Sequence, residues 1–177
     1  GMIKGKWYWE VNYAHTTTDK GGYPQIGVSK AGNVNNGQMV GFHTPSGSDY
    51  RAKNGGSVIS NAFDGAPQAS DIIGFYLDLD NETLIVHQNG SDFMGSGASS
   101  GIDFSSTSFD PDTGFFHVHY NTNSDSAHTN EFNFGNPAWS LSSAVSDANG
   151  YGNFEYSPTL SSTNYYAICS KNLAKYG

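Results

Sequence analysis

Asp78, Asp80 and Glu82 stand at alternate positions of the chain. On an extended strand all three would share one face, about 6.5–7 Å apart per step. Retaining glycosidases hold two carboxyls ~5–5.5 Å apart, which side-chain reach could supply from this spacing. The competing reading puts Asp80-Asn81-Glu82 in a hairpin turn, where alternation fails, and the Asx pair favours the turn. His117 and His119 also alternate, and a His-x-His strand can offer two metal ligands. No third ligand accompanies them, so packing among Phe115, Phe116 and Tyr120 is the preferred reading and no metal site is expected. Asp110-Pro111-Asp112-Thr113-Gly114 and Asp147-Ala148-Asn149-Gly150 resemble the opening of oxygen-rich calcium loops, the second supported by Asn153 and Glu155 downstream. Neither completes a calcium-binding pattern, and Asx residues before glycine make ordinary turns. No cofactor is therefore expected, calcium being the one with any claim. Cys169 is the sole cysteine, which rules out an internal disulfide, and no base accompanies it. It reads as a small buried hydrophobe on a strand. No phosphate-cradling loop occurs, and no serine is expected to serve as a strand–turn–helix nucleophile. Asn81-Glu82-Thr83 and Asn89-Gly90-Ser91 spell glycosylation sequons, relevant in a eukaryotic secretory setting.

The elements that would carry these residues read as strands. Across 6–13, Trp7, Trp9 and Val11 fall on one face and Tyr8, Glu10 and Asn12 on the other. Residues 25–29 form a short strand around Gly27, where glycine marks a bend or a close approach. Further strands are expected at 40–43 and 48–53, with Asn54-Gly55-Gly56 breaking the chain before Val58 and Ile59. The clearest unit is a hairpin of 72–79 and 83–88 around an Asx-rich turn, closed by Asn89-Gly90. Residues 93–112 read as a long polar loop, 115–120 and 131–134 as strands, 140–145 as a helical turn, and 165–169 as the closing strand. Many strands and almost no helix favour a sandwich.

Composition agrees. Lys and Arg total 8 against 16 for Asp and Glu, a formal net charge of -8, which repels nucleic acid and anionic membranes. No apolar run approaches the ~18–20 residues of a membrane helix, and no signal peptide is read at the start. Gly1 before Met2 reads as a tag-cleavage scar. The 177 residues suit one domain, spanning 2–177, large enough to bury a core. Aromatic residues make up 14% of the chain and supply the apolar area that a disordered chain lacks.

Several segments, in order, resemble the SPRY (B30.2-like) family. Gly5-Lys6-Trp7-Tyr8-Trp9-Glu10-Val11 resembles its opening strand and Ile26-Gly27-Val28 its second. Asp71 to Asn81, through Asn89-Gly90, resembles its central hairpin, with Gln88 where the family usually has lysine. Phe132-Asn133-Phe134-Gly135 resembles its late Asn-Phe-Gly strand, so the resemblance spans roughly residues 5–137. It implies a bent antiparallel β-sandwich of the concanavalin-like jelly-roll type. It also implies binding of peptides or proteins through loops on one rim, and no catalysis in most members. The tail, Asp147 to Tyr156 and Tyr165 to Leu173, is similar to endings of SPRY-like domains in bacteriophage structural proteins. That similarity implies a virion, tail or fibre role, and a chain that belongs to a longer protein. Because the tail departs from the animal pattern, no binding residues are transferred from it.

Read on their own chemistry, His15, Tyr23, Tyr50, Arg51, Tyr120 and Asn121 border loops and could form a binding rim. Aromatic rings stack on sugar faces, and Asn or Arg supply hydrogen bonds. The expected function is a non-enzymatic binding or assembly module, taking a protein or glycan, with other virion proteins among the candidate partners. Its rivals are a carbohydrate-active lectin-like sandwich enzyme using Asp78, Asp80 and Glu82, and a purely structural spacer.

Overall fold

The computed structural model describes residues 2–14, 25–30, 39–43, 51–105, 116–121 and 129–177, with backbone alone at 30 and 116–121. The chain is an all-β sandwich. One sheet is built on β1 (Lys6–Asn12), which pairs in antiparallel fashion with β6 (Ile72–Asp78); β6 pairs with β7 (Thr83–Gln88). The short strands β8 (Ser91–Asp92) and β9 (Ile102–Asp103) both extend β7, and β11 (Glu131–Asn133) extends β1. The second sheet has the order β10 (Phe116–Asn121), β2 (Gln25–Lys30), β3 (Met39–His43), β4 (Arg51–Gly55) and β5 (Ser57–Ile59), antiparallel throughout.

The alternation read from the sequence decides which side chains enter the core. Trp7, Trp9 and Val11 of β1, Ile73, Phe75 and Leu77 of β6, and Leu84 and Val86 of β7 face Ile26, Val28, Val40, Phe42 and Ala52 of the second sheet. Trp9 stacks on Phe75 with ring centroids 5.0 Å apart. Each such side chain contributes about 1.5–3 kcal/mol on burial, so this inter-sheet layer dominates the stability.

The first sheet is also covered on its other face. Tyr8 and Tyr76 bury their rings under Phe154, Tyr165 and Ala167 from the C-terminal segment. Gly74 permits this, since a Cβ there would lie 2.7 Å from the Tyr8 hydroxyl. The covering segment contains β12 (Val145–Ser146) paired with β13 (Asn153–Phe154), and β14 (Thr159–Leu160) paired with β15 (Thr163–Asn164). It ends with β16 (Tyr166–Ala167), parallel to β1, and the helix α1 (Ser170–Tyr176).

Parts of the chain depart from the sequence expectation. Residues 140–145 form no helical turn; Val145 instead begins β12. The chain does not close on a strand: β16 is two residues long and leads into α1, with half-buried Cys169 at the helix start rather than buried on a strand. Within 93–105 the expected polar loop carries Phe93, Met94, Ala98, Ile102 and Phe104 into the core, so apolar anchors override its polar composition. Residues 106–112 of that loop lie outside the described residues.

Candidate functional site

Asp78, Asp80 and Glu82 do not share one face of a strand. Residues 79–82 are the turn joining β6 to β7, and Glu82 has φ 55 there, so alternation fails. Asp78 Oδ1 accepts the backbone N–H groups of Asp80 and Asn81, both at 3.0 Å. Its Oδ2 accepts Asn81 Nδ2 at 2.7 Å and the Lys6 ammonium. Burial alone would push this carboxyl up, but Lys6 and the Asn81 donors outweigh it and hold it below the ordinary aspartate value. Asp80 Oδ1 accepts the N–H of Gly5 at 2.8 Å. Asp78 and Asp80 shape the hairpin.

Two other buried carboxylates are filled in the same way. Glu10 is fully buried and accepts four hydrogen bonds: from Tyr8 Oη, Asn133 Nδ2, and the backbone N–H groups of Glu155 and Tyr156, all at 2.8–3.0 Å. Burial pushes its carboxyl above the ordinary value against the pull of those donors. Asp147, the head of the second candidate calcium loop, accepts Asn149 N–H and Tyr151 N–H on Oδ1, and Ala167 N–H and Asn172 Nδ2 on Oδ2. N–H donors stand where a cation would need free oxygen, which makes this loop an Asx turn tying α1 to the rest of the covering C-terminal segment, a strap across the first sheet. The Asp110 loop lies outside the described residues, as do the His117 and His119 side chains. Among the described residues no three His, Cys, Asp or Glu side chains are grouped to hold a metal ion.

Both sequon amides are engaged, Asn81 Nδ2 with Asp78 and Asn89 Nδ2 with Asp71 Oδ1 at 2.7 Å. Gln88 Nε2 also reaches Asp71, at 2.6 Å. Gly97-Ala98-Ser99-Ser100-Gly101 spells Gly-x-Ser-x-Gly, but it lies in turns between β8 and β9 rather than between a strand and a helix. It lacks the geometry of a nucleophile elbow.

The second sheet provides the convergence that the hairpin does not. Asn121 is the register partner of Gln25, Gln25 of His43, and His43 of Arg51. Four strand ends therefore form one row, about 14 Å across at normal strand spacing. The connections 13–24, 44–50 and 122–130 start or finish at this row. Of the six expected rim residues, Arg51 and Asn121 fall in the row and Tyr120 lies one step in, opposite Ile26. His15, Tyr23 and Tyr50 lie outside the described residues, Tyr50 adjoining Arg51 in sequence.

The row also contains residues that sequence reading passed over. Ile26, Phe42 and Ala52 point into the core, so Gln25, His43, Arg51 and Lys53 belong to the opposite face. Gln25 is 5% exposed, yet its Oε1 has no hydrogen-bond partner, and His43 Nδ1 is likewise buried and unpartnered. A buried polar atom left this way costs ~1–3 kcal/mol. Burial, then the positive charges of Lys53 and Arg51, lower the His43 pKa to about 4, so the imidazole is neutral at neutral pH. This end of the sheet thus joins two orphaned polar atoms, two cations and a neutral imidazole. Strand alternation in the sequence gave each residue its face, but only the register brings them together. No family model and no curated protein matches the chain.

Proposed function

We propose that this domain is a non-enzymatic recognition or assembly module. It would be a SPRY-type, concanavalin-like sandwich of the kind carried by bacteriophage tail, fibre or capsid-associated proteins. It binds a protein or glycan at the end of the five-stranded sheet marked by Gln25, His43, Arg51 and Asn121. The observation that carries this reading is the register that aligns four strand ends in one row. Rigid strands holding variable connections are the usual scaffold for recognition. The engagement of Asp78, Glu10 and Asp147 by internal donors supports a binding role over a hydrolytic one.

The test is a glycan array and a panel of peptides and virion proteins, screened with and without calcium. Selective binding that Tyr50→Ala or Arg51→Ala weakens is the expected result. Binding untouched by either substitution would move the site elsewhere. Glycan cleavage abolished by Asp80→Asn would overturn the non-enzymatic reading.

A further inference from the structure

Basic side chains are few in this acidic protein, and Lys4, Lys171 and Lys175 gather around α1. Lys171 and Lys175 are one helical turn apart on a helix with no acidic residue, and both are exposed. Lys4, also exposed, adjoins the end of that helix: a Cβ on the next residue, Gly5, would lie 2.9 Å from Tyr176 O. Among the described residues the only ion pair is Lys6–Asp78, so these three cations have no carboxylate partner there. Asp147, in the same strap, is buried and has its oxygens taken by N–H donors. Aromatic rings accompany the cations. Lys171 Nζ lies 4.7 Å from the centroid of the Tyr151 ring, and Lys175 Nζ 4.9 Å from that of Tyr176, which stacks on Tyr166. Tyr151 is 46% exposed and Phe134 37%, and these are the exposed aromatic side chains among the described residues. Their chain segments run together, since Asn153 N–H donates to Gly135 O at 2.8 Å and a Cβ on Gly135 would lie 2.9 Å from the Gly152 Cα. Asn149 Nδ2 contacts Tyr176 Oη at 3.3 Å, which adds an amide and a phenolic hydroxyl beside the rings.

We propose that this surface of the strap binds a carboxylated polysaccharide, with a sugar ring lying on Tyr151 and Phe134, its carboxylates meeting Lys171 and Lys175, and its hydroxyls bonding Asn149 and Tyr176. The site is separate from the row of strand ends on the second sheet and stands without it. Each part of the ligand answers one part of the surface. The apolar C–H face of a sugar covers exposed aromatic rings, and amide and phenol groups both donate to and accept from its hydroxyls. Its carboxylates complement the cations, which have no such partner in the chain. An acidic peptide would use the cations and leave the rings idle. Nucleic acid would use both, but duplex DNA presents one charge per about 1.7 Å of axis. A chain of net charge -8 repels so dense a row of phosphates beyond the patch itself, whereas a polysaccharide spaces its carboxylates sugar by sugar.

The experiment measures binding of polygalacturonate, hyaluronate and polysialate to the folded chain at low and physiological salt. Methyl-esterified polygalacturonate, poly-L-glutamate and a single-stranded DNA oligomer serve as comparisons. At least one of the three acidic polysaccharides is expected to bind, more weakly as salt rises, and better than any comparison probe. Tyr151→Ala and Lys171→Ala should each weaken that binding about fivefold or more. Tyr151→Phe, which keeps the ring, should stay near wild type. So should Ser57→Asp, which makes the same change in net charge as Lys171→Ala at an exposed position of β5 on the other sheet. Thermal melting unchanged from wild type excludes misfolding in each variant. Equal losses in Lys171→Ala and Ser57→Asp would overturn the proposal, because net charge and not the site would then govern binding. Poly-L-glutamate or the DNA oligomer binding as tightly as the polysaccharides would overturn the sugar, and so would binding that Tyr151→Ala leaves intact. No binding to any of the three polysaccharides would overturn the proposal outright, while leaving the recognition row on the second sheet untouched.

Discussion

His43 is the residue whose protonation bears most directly on the proposed site. Its imidazole titrates near 6.5 when the chain is unfolded and near about 4 in the folded state, lowered by burial and by Lys53 and Arg51. Between these values the unfolded chain binds the proton and the folded chain does not. The contribution is therefore fully present above pH ~6.5 and is lost as pH falls toward about 4. The full shift would correspond to about 3 kcal/mol, and partial exposure reduces this to roughly 2. His87, also lowered by burial, contributes with the same sign, whereas Glu10, raised by burial, contributes with the opposite one. The difference between wild type and His43→Asn isolates the one term. Urea midpoints measured from pH 7.5 to 4.5 should fall more steeply for wild type than for the variant; parallel curves would refute the assignment.

At the scale of elements, the hairpins are where sequence and structure agree most closely, and Asn89-Gly90 shows why. The two residues have φ 50 and 78, the left-handed pair of a type I′ turn, and they join β7 to β8. Gly90 is required twice over: a Cβ there would also lie 2.4 Å from Tyr156 Cδ1, whereas Gly150, at φ 70, has nothing within 4 Å. Gly150→Ala should therefore cost about 1 kcal/mol of backbone strain, and Gly90→Ala a further ~1–2 for the displaced ring. Equal losses in chemical denaturation would show that Tyr156 does not hold its place. The turn was legible because its chemistry is local, and β1 and β6 because alternation of Trp7, Trp9 and Val11 or Ile73, Phe75 and Leu77 is strong. The strands of the C-terminal strap were not legible, since two-residue pairings set among Asn, Gly and Ser have no period to detect. α1 was missed for a related reason: seven residues with no side-chain cap at Cys169 give little amphipathic pattern, and bonds from Asn172 to the distant Asp147 and to Ala167 hold it instead. The proposed binding site was half legible. Arg51, Tyr120 and Asn121 stood out as loop borders, whereas Gln25, His43 and Lys53 gained meaning only from cross-strand register, which spans most of the chain.

For the whole molecule, the layers beyond the two sheets matter most. The resemblance read from sequence runs to about residue 137, yet the first sheet is not finished there. Glu10 draws two of its four donors from Glu155 and Tyr156, and Asp147 fixes Ala167 and Asn172 beside the β1–β16 pairing. Removing the strap would bare Tyr8 and Tyr76 together with the apolar side chains that cover them. Rings and aliphatic groups of this size contribute about 1.5–3 kcal/mol each on burial, so several of them approach the ~5–15 kcal/mol that holds a whole domain. A chain truncated to residues 2–137 should therefore fail to unfold cooperatively, lose its near-ultraviolet circular dichroism and bind a hydrophobic dye. Supplying residues 138–177 as a separate peptide should restore part of the aromatic signal, because the anchoring groups on β1 and β6 are still present. A truncated chain with a sharp transition within about 1 kcal/mol of wild type would instead make the strap an appendage. In that case the two-sheet sandwich would set the folding boundary, and Glu10 would be a surface carboxylate that the strap happens to cover.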